Sequence, residues 1–443
     1  MALHTSLRRL SDALEYLVDD RVGIVRYVNE LPREAGAPDF FHFYALASNT
    51  IAFTRQLNFS AAGGASADRG LAIGKAVGEA VERYCAAIYE IDELPLCSRD
   101  AAAFPCVPPA EFALYGADQC ERPGFRYVPF DDSTPVRWIR AVDPMSGAGC
   151  FVPAAMVYVP YTYYLGTGDA PICQPISTGL ACHCSKEEAA ISGICEVIER
   201  DAVMTTWLAM LGMPQILVET LSDANYDLVE RFERTGAKVT LFNITMDHGV
   251  PTVMGALQSL STYSPALVVA AATSLSPEDA VRKCLEELAH TRRYSQQIKS
   301  KLPRIIPDPP DYESITGQIG HLNFYSDHAN APQAEFLFQS KERQDFAELA
   351  DLSTGTPRRD LDKLCQMVAA VNHRVLLVDV TTPDVEQIGF AVIKALIPGF
   401  HPLCLGHDVR ALGGYRIWEV PQKLGHKGIT RETGANPAPH PYP

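Results

Sequence analysis

Residues 177–201 read STGLACHCSKEEAAISGICEVIERD, and the acidic residues in this stretch decide how the chain is read. From Ser185 onward the composition is helical, with no proline until Pro214. At about 100° per residue, Glu196 lies roughly 80° around the helix from Glu188, and Glu199 roughly 20°. Three carboxylates therefore share one face, with Arg200 beside them. Ala190, Ile194, Val197 and Ile198 form the opposite face and can pack on a core. Like charges along one face cost stability. A solvated face is the ordinary reading of one such helix, but here the pattern recurs twice.

GKAVGEAVERYCA carries Glu79 and Glu82 three residues apart, with Arg83 next. VRKCLEELAHTRRY carries Glu286 and Glu287 after Arg282 and Lys283. Gathering these carboxylates without compensation would be expensive. A hard divalent cation supplies the compensation, and Mg²⁺ commonly bridges carboxylates to substrate phosphates. The neighbouring cations suit phosphate oxygens. Arg282, one turn before Glu286 and on its face, is preferred to Lys283 for that contact.

The segments GKAVGEAVER, EEAAISGICEVIERDA and RKCLEELAH resemble the three nucleotide-binding motifs of the YcaO family. The resemblance runs from about Asn58 to the last residue. It implies ATP and Mg²⁺ as cofactors, bound through Glu79, Glu82, Arg83, Glu188, Glu196, Glu199, Arg200, Arg282 and Glu286. Of these, Glu79, Glu82, Glu196 and Glu199 are the implied metal ligands. Three positions depart from the pattern: Lys75 stands where relatives commonly have Ser, Cys184 where many have Asn, and no Lys lies near Ala65.

The chain closes on NPAPHPYP, residues 436–443. Alternating prolines favour an extended polyproline conformation that threads a groove at low entropic cost. A disordered tail is the ordinary expectation for such a composition. The PxPxP ending resembles that of family members that build azoline rings, which implies orienting or general-base roles for His440 and the Pro443 carboxylate. The implied activity is an ATP-dependent cyclodehydratase that turns Cys, Ser or Thr of a ribosomally made precursor peptide into thiazoline or oxazoline. A thioamide- or amidine-forming member, or a non-catalytic scaffold, are the alternatives. With no further domain expected ahead of the family region, the resemblance implies a separate partner, either like a ubiquitin-activating enzyme or otherwise leader-peptide-binding. A homodimer is compatible with the chain.

Composition sets the frame. The 443 residues are 47% hydrophobic and 21% charged, ordinary for a globular protein. A net charge of −15 argues against general nucleic-acid binding. The 12 Cys are dispersed without a Cys-x-x-Cys pair. Cys182-His183-Cys184 therefore reads as a loop with small buried thiols rather than a zinc site. No apolar run is long enough to span a membrane, and the N-terminus lacks a signal peptide. A cytoplasmic protein with reduced thiols and no membrane partner is expected.

Consecutive strands mixed with helices predict an α+β (mixed α/β) fold. The division expected is an N-terminal region 1–57 and a catalytic domain 58–443 ending in the tail 436–443. In order, a helix carries Leu7, Leu10, Leu14 and Leu17 on one stripe, and strands fall at 24–28, in IAFTR (51–55), at 137–142 and at 150–159. AAGGASADRG reads as a turn that could face an anion. Tyr158, Tyr161, Tyr163 and Tyr164 read first as aromatic packing. Strands 237–244, 250–258 and 266–272 form a meander feeding a helix at 277–299. The segment 302–312 is a loop, and 321–339, irregular and polar, is a surface crossing or a partner contact. A helix at 361–371 and strands at 373–380 and 392–398 follow.

Overall fold

The computed structural model describes every residue except Met1, Leu165, Pro310, Asp311 and Glu313; the side chains of residues 2–8 and of Ser11 are also outside the description, Leu7 among them. Ten helices are described: α1 (Ala2–Leu17), α2 (Arg69–Cys85), α3 (Ala117–Cys120), α4 (Lys186–Leu208), α5 (Asp223–Glu233), α6 (Pro277–Lys301), α7 (Gln318–Ser326), α8 (Pro357–Ala370), α9 (Pro383–Ile388) and α10 (Arg416–Lys423). The fold is mixed α/β, as the alternation of elements requires.

Three sheets hold the helices apart. The first is an antiparallel ribbon of β1 (Val25–Glu30), β2 (Phe41–Ala47) and β3 (Ala61–Ser66). The second joins β4 (Leu96–Cys97), β5 (Val136–Val142), β6 (Gly149–Pro153) and β7 (Leu180–His183) to two late strands, β13 (Leu376–Asp379) and β14 (Ala391–Leu396). The third runs in the order β11 (Leu267–Thr273), β10 (Thr252–Ser259), β9 (Ala237–Asn243), β8 (Gln215–Ile216), β12 (Arg343–Gln344). Its β9–β10–β11 part is the expected meander. Strand β2 pairs with β3 across the 57/58 division, so the first region completes a sheet of the second.

Local sequence explains the helix ends. Asp68 caps α2 by accepting from Leu71 N at 2.9 Å, and Ser185 caps α4 by accepting from Glu188 N. Ser276 precedes Pro277 at the start of α6, the position that tolerates proline. Helix α2 buries small residues, Ala72, Ala76 and Ala80, which lets it lie close on β3. Helix α6 buries Val281, Cys284, Leu285 and Leu288, the last two in the core that also takes residues of β10 and β11.

Four expectations are corrected. AAGGASADRG is not a turn: Ala61–Ser66 is a strand, with Gly64 glycine because a Cβ there would meet Ala72 O at 2.4 Å. IAFTR lies in turns, and the strand precedes it at Phe41–Ala47. Cys182-His183 belongs to strand β7, not a loop. The segment 321–339 is not a surface crossing, since His321, Leu322, Phe324, Tyr325 and Leu337 are buried. Strand β6 also ends at Pro153, earlier than the pattern suggested, and gives way to a short 3₁₀ turn. The tyrosines do pack: Tyr158 and Tyr161 stack on Tyr89.

One buried ion cluster pins the second half of α4. Arg416, 1% exposed, donates Nη2 to Asp201 at 2.8 Å and to Asp247 at 2.7 Å, while Asp201 also accepts from His401 N. Removing one partner of a buried pair leaves an uncompensated charge. Arg416→Met should therefore cost about 3–5 kcal/mol in denaturant unfolding. A loss under about 1 kcal/mol would show that the cluster is not what fixes α4.

Candidate functional site

Four glutamates from two helices each accept a main-chain N–H from a neighbouring strand or loop. Glu79 of α2 accepts from Gly63 N at 2.7 Å and Glu82 from Cys182 N at 2.8 Å. Glu196 of α4 accepts from Gly179 N at 3.0 Å and Glu199 from Thr273 N at 3.2 Å. Gly179 has φ +85°, and its added Cβ would stand 2.2 Å from Ala395 O, so this donor position requires glycine.

Helix α6 adds a fifth carboxylate. Glu287 pairs with His290 at 3.6 Å and interacts electrostatically with Lys75 and Arg200. Electrostatic contacts group these five carboxylates into one acidic cluster, termed the ring: Glu79 and Glu196 act on Glu82, Glu196 and Glu287 act on Glu199, and Glu79 acts on His290. Burial, then the neighbours Glu79 and Glu196, push the Glu82 carboxyl well above its ordinary range, although Cys182 N and Arg83 oppose this. Burial also pushes Glu199 to about 7, against Arg200 and the Tyr442 hydroxyl. Burial would raise Glu287 too, but the His290 hydrogen bond carries it down to about 2.

Cations border the ring. Arg83 bonds Glu79 and Ala61 O. Arg200 donates Nη2 to Glu196 at 3.1 Å and Nη1 to Pro443 O at 3.1 Å, and its buried Nε has no partner. Lys283 lies near Cys195 of α4, with no hydrogen-bond or ion-pair partner among the described residues.

The tail is docked. Trp207 Nε1 donates to Ala438 O at 3.0 Å and the Tyr325 hydroxyl to Pro439 O at 2.6 Å. His321 contacts His440 O and stacks on its ring with centroids 3.8 Å apart. Tyr442, 1% exposed, donates its hydroxyl to Glu199 and lies under the Arg200 guanidinium.

Five residues inferred from the sequence sit elsewhere than the reading expected, or act differently. Glu188 bonds His183 at 3.0 Å and Ser185 at 2.9 Å, at the cap of α4 rather than in the ring. Glu286, 2% exposed, is consumed by Ser66, Lys75 and Arg282. It ties α6 to β3 and α2, and Lys75, the departure from Ser, is part of that tie. Arg282 pairs with Glu286 and Asp279. His440 has its ring nitrogens 2.8 Å from Cys404 O and 3.0 Å from Tyr442 O, and burial pushes it down to about 4, so the neutral ring donates to one of these carbonyls and packs within the tail. Pro443 is in contact with the ring only through Arg200. Glu287 and Lys283 were passed over for their neighbours, and α6 turns the pair one residue on toward α4.

The donor set fits a magnesium–nucleotide. Among the described residues no three His, Cys, Asp or Glu side chains complete a metal site unaided, but Mg²⁺ keeps waters and phosphate oxygens around one or two carboxylates. Glu82, raised by burial and then by the like charges of Glu79 and Glu196, and with one N–H partner, is a carboxylate that a cation would relieve. The orphaned Nε of Arg200 and the free ammonium of Lys283 are donors suited to phosphate oxygens.

A family model described as YcaO cyclodehydratase, ATP- and Mg²⁺-binding, matches residues 63–401, and the chain belongs to the YcaO family. An uncharacterized protein of Methanothermobacter thermautotrophicus is 28% identical over 274 residues, 61% of this chain and 66% of its own length. A heterocyclase in complex with substrate and cofactor has a TM-score of 0.81 at 18% identity, over 98% of this chain and 57% of that one. YcaO from Methanopyrus kandleri bound with AMPPCP and Mg²⁺ has a TM-score of 0.64 at 19% identity, over 90% and 91%. The Escherichia coli microcin synthetase McbBCD complex with pro-MccB17 bound has a TM-score of 0.59 at 16% identity, over 94% and 100%. The chain thus spans under two thirds of the curated relative and of the heterocyclase chain. No described helix is long and apolar enough to cross a membrane, and all 12 cysteines are free.

The raised Glu199 fixes the sign of a pH effect. Between the ordinary carboxylate range and about 7, the folded state holds a proton that the unfolded chain has lost. This group's contribution to stability therefore falls as pH rises from about 4.5 to 7. Glu199→Gln should gain ~1–2 kcal/mol relative to the native protein from pH 5 to pH 8 in Mg²⁺-free unfolding. Parallel pH curves for the two proteins would contradict the assignment.

Proposed function

We propose that this protein is an ATP-dependent peptide cyclodehydratase. The observation that carries the reading is the meeting of a proline-spaced tail with the acidic ring, Tyr442 on Glu199 and Pro443 on Arg200. Glu79, Glu82, Glu196 and Glu199 would hold Mg²⁺, with Glu287 beside them. Bound magnesium would neutralise phosphate charge at a transferring phosphoryl group. Arg83, Arg200 and Lys283 would steady the triphosphate. Glu188, Arg282 and Glu286 would act on the frame around it.

The substrate brings its own nucleophile. The side-chain thiol or hydroxyl of a Cys, Ser or Thr gives up its proton to solvent as its sulfur or oxygen bonds to the preceding amide carbon and the carbonyl π electrons move to oxygen. The former carbonyl oxygen takes the γ-phosphoryl group as ADP leaves. The carbon–oxygen bond then breaks, phosphate departs, the nitrogen gives up its proton, and a C=N bond closes the azoline. Amide oxygen leaves poorly, and its phosphate ester leaves well. The protein's work is positioning and charge stabilisation. A mostly apolar cavity runs beside α4, past Tyr115, Ile397, Phe400 and Lys394. It would seat an apolar part of the peptide next to Glu196, which acts electrostatically on Lys394. A separate leader-binding partner would deliver the precursor, and the residue 58–443 catalytic unit would act on it. His440 would orient the tail, and Pro443 would set Arg200.

The test uses purified protein, ATP, Mg²⁺, precursor peptide and partner, read by mass spectrometry. Loss of one water per ring supports the proposal, whereas a heavier, sulfur-containing product assigns a thioamide-forming reaction instead. Glu199→Gln should slow ATP consumption by about 100-fold or more. Unchanged consumption would leave only a scaffold. Tyr442→Phe removes a hydrogen bond that lowers Glu199, so its rate profile should shift to higher pH while nucleotide affinity changes by only about a factor of 2. An unshifted profile would separate the tail from the chemistry.

A further inference from the structure

A second pocket has none of the ring's glutamates in its lining. It opens between β2 and α6, with Arg33, Glu34, Phe40, His42, Arg292 and Arg293 in its wall. His42, Arg292 and Arg293 are each only 8% exposed. Each nevertheless leaves a buried nitrogen without a hydrogen-bond partner: His42 Nδ1, Arg292 Nη1 and Arg293 Nε. Buried polar groups are nearly always bonded, and orphaned guanidinium donors are costly. Glu34 does not satisfy them: it stands 3.5 Å from Arg292 and 3.8 Å from Arg293, an ion pair without a hydrogen bond. Arg33 is taken by Asp39. Three guanidiniums thus meet two carboxylates, which leaves one positive charge and three unpartnered buried nitrogens on residues that line one pocket.

We propose that this pocket binds a small oxyanion, the phosphate or carboxylate group of a ligand, at a site separate from the nucleotide cleft. Two adjacent guanidiniums give the planar donor arrangement that oxyanions match. The imidazole nitrogen of His42 can add a third donor from strand β2, across from the two arginines of α6, once its tautomer places a proton there. The buried Phe40 ring floors the pocket, with Arg231 over its other approach, so a ligand carrying the oxyanion on a short apolar stem fits better than a bare ion.

Calorimetric titration of the full chain without Mg²⁺ or nucleotide provides the test, with inorganic phosphate and with succinate as probes and chloride as the control. Saturable binding of either probe is expected. Glu34 is the competing carboxylate and sits partly exposed at the rim, so Glu34→Gln should tighten binding about 3- to 10-fold. Arg292→Gln should weaken it about tenfold or more. Preference for phosphate identifies a phosphoryl ligand, and preference for succinate a carboxylate one; both support the site. Absence of binding overturns it. So does an affinity unchanged by Glu34→Gln, which would place the anion at Arg200 instead. The Glu34 variant predicts a gain, so a folding defect cannot mimic the expected result, and it decides the matter even where Arg292→Gln does not fold.

Discussion

Everything around the acidic ring depends on main-chain N–H groups delivered to carboxylates. A glutamate on a helix surface is free to turn toward solvent and hold nothing in place. Here Gly63, Cys182, Gly179 and Thr273 each supply one N–H to one carboxylate. Those donors come from β3, β7, the turn before it and the end of β11. Three sheets therefore converge on α2 and α4, and the spacing between the glutamates is set by backbone rather than by side-chain rotamers. This preorganisation resists the mutual repulsion that would otherwise spread the carboxylates.

The price of that arrangement is visible in the frame. Glu286 neutralises Lys75 and Arg282 in a nearly dry position and so joins α6 to α2. Asp201, one residue past Arg200, is locked to Arg416. Ion pairs outside the ring thus hold the helices that carry it. A hydrophobic frame of equal volume would be as stable or more so, but it would not fix the angle at which three helices present their acidic faces.

Much of this was legible in residue spacing. The Glu79/Glu82 and Glu196/Glu199 pairs and their arginines lie on the faces that periodicity assigns, and the three-strand meander read at 237–244, 250–258 and 266–272 is present at Ala237–Asn243, Thr252–Ser259 and Leu267–Thr273. Adjacent residues were harder. Glu286 and Glu287 are both acidic and about 100° apart, and only the packing of α6 on β3 separates the buried strut from the ring member. The same rotation exchanges Arg282 for Lys283. The capping pattern Ser185-x-x-Glu188 was a signal that Glu188 serves the helix end. Gly63 and Gly64 looked like a loop because propensity disfavours glycine in strands. Gly64 lies against the α2 backbone, and a Cβ on Gly63 would strike His290 Nε2 at 2.6 Å. The polarity of 318–339 misled for a related reason: its His321 and Tyr325 spend their polar atoms on tail carbonyls from far along the chain.

That distance has a consequence for biogenesis. Glu199 and its partner Tyr442 are separated by 243 positions, and segments emerge from the ribosome in order, at roughly 5–20 residues per second. Helix α4 is therefore exposed for many seconds before residues 436–443 exist to cover Trp207 and bond Glu199. During that interval a nascent chain carries an open apolar channel beside an incompletely assembled acidic ring. Closure over Trp207 waits on residues 436–443, which are made after every strand of the three sheets.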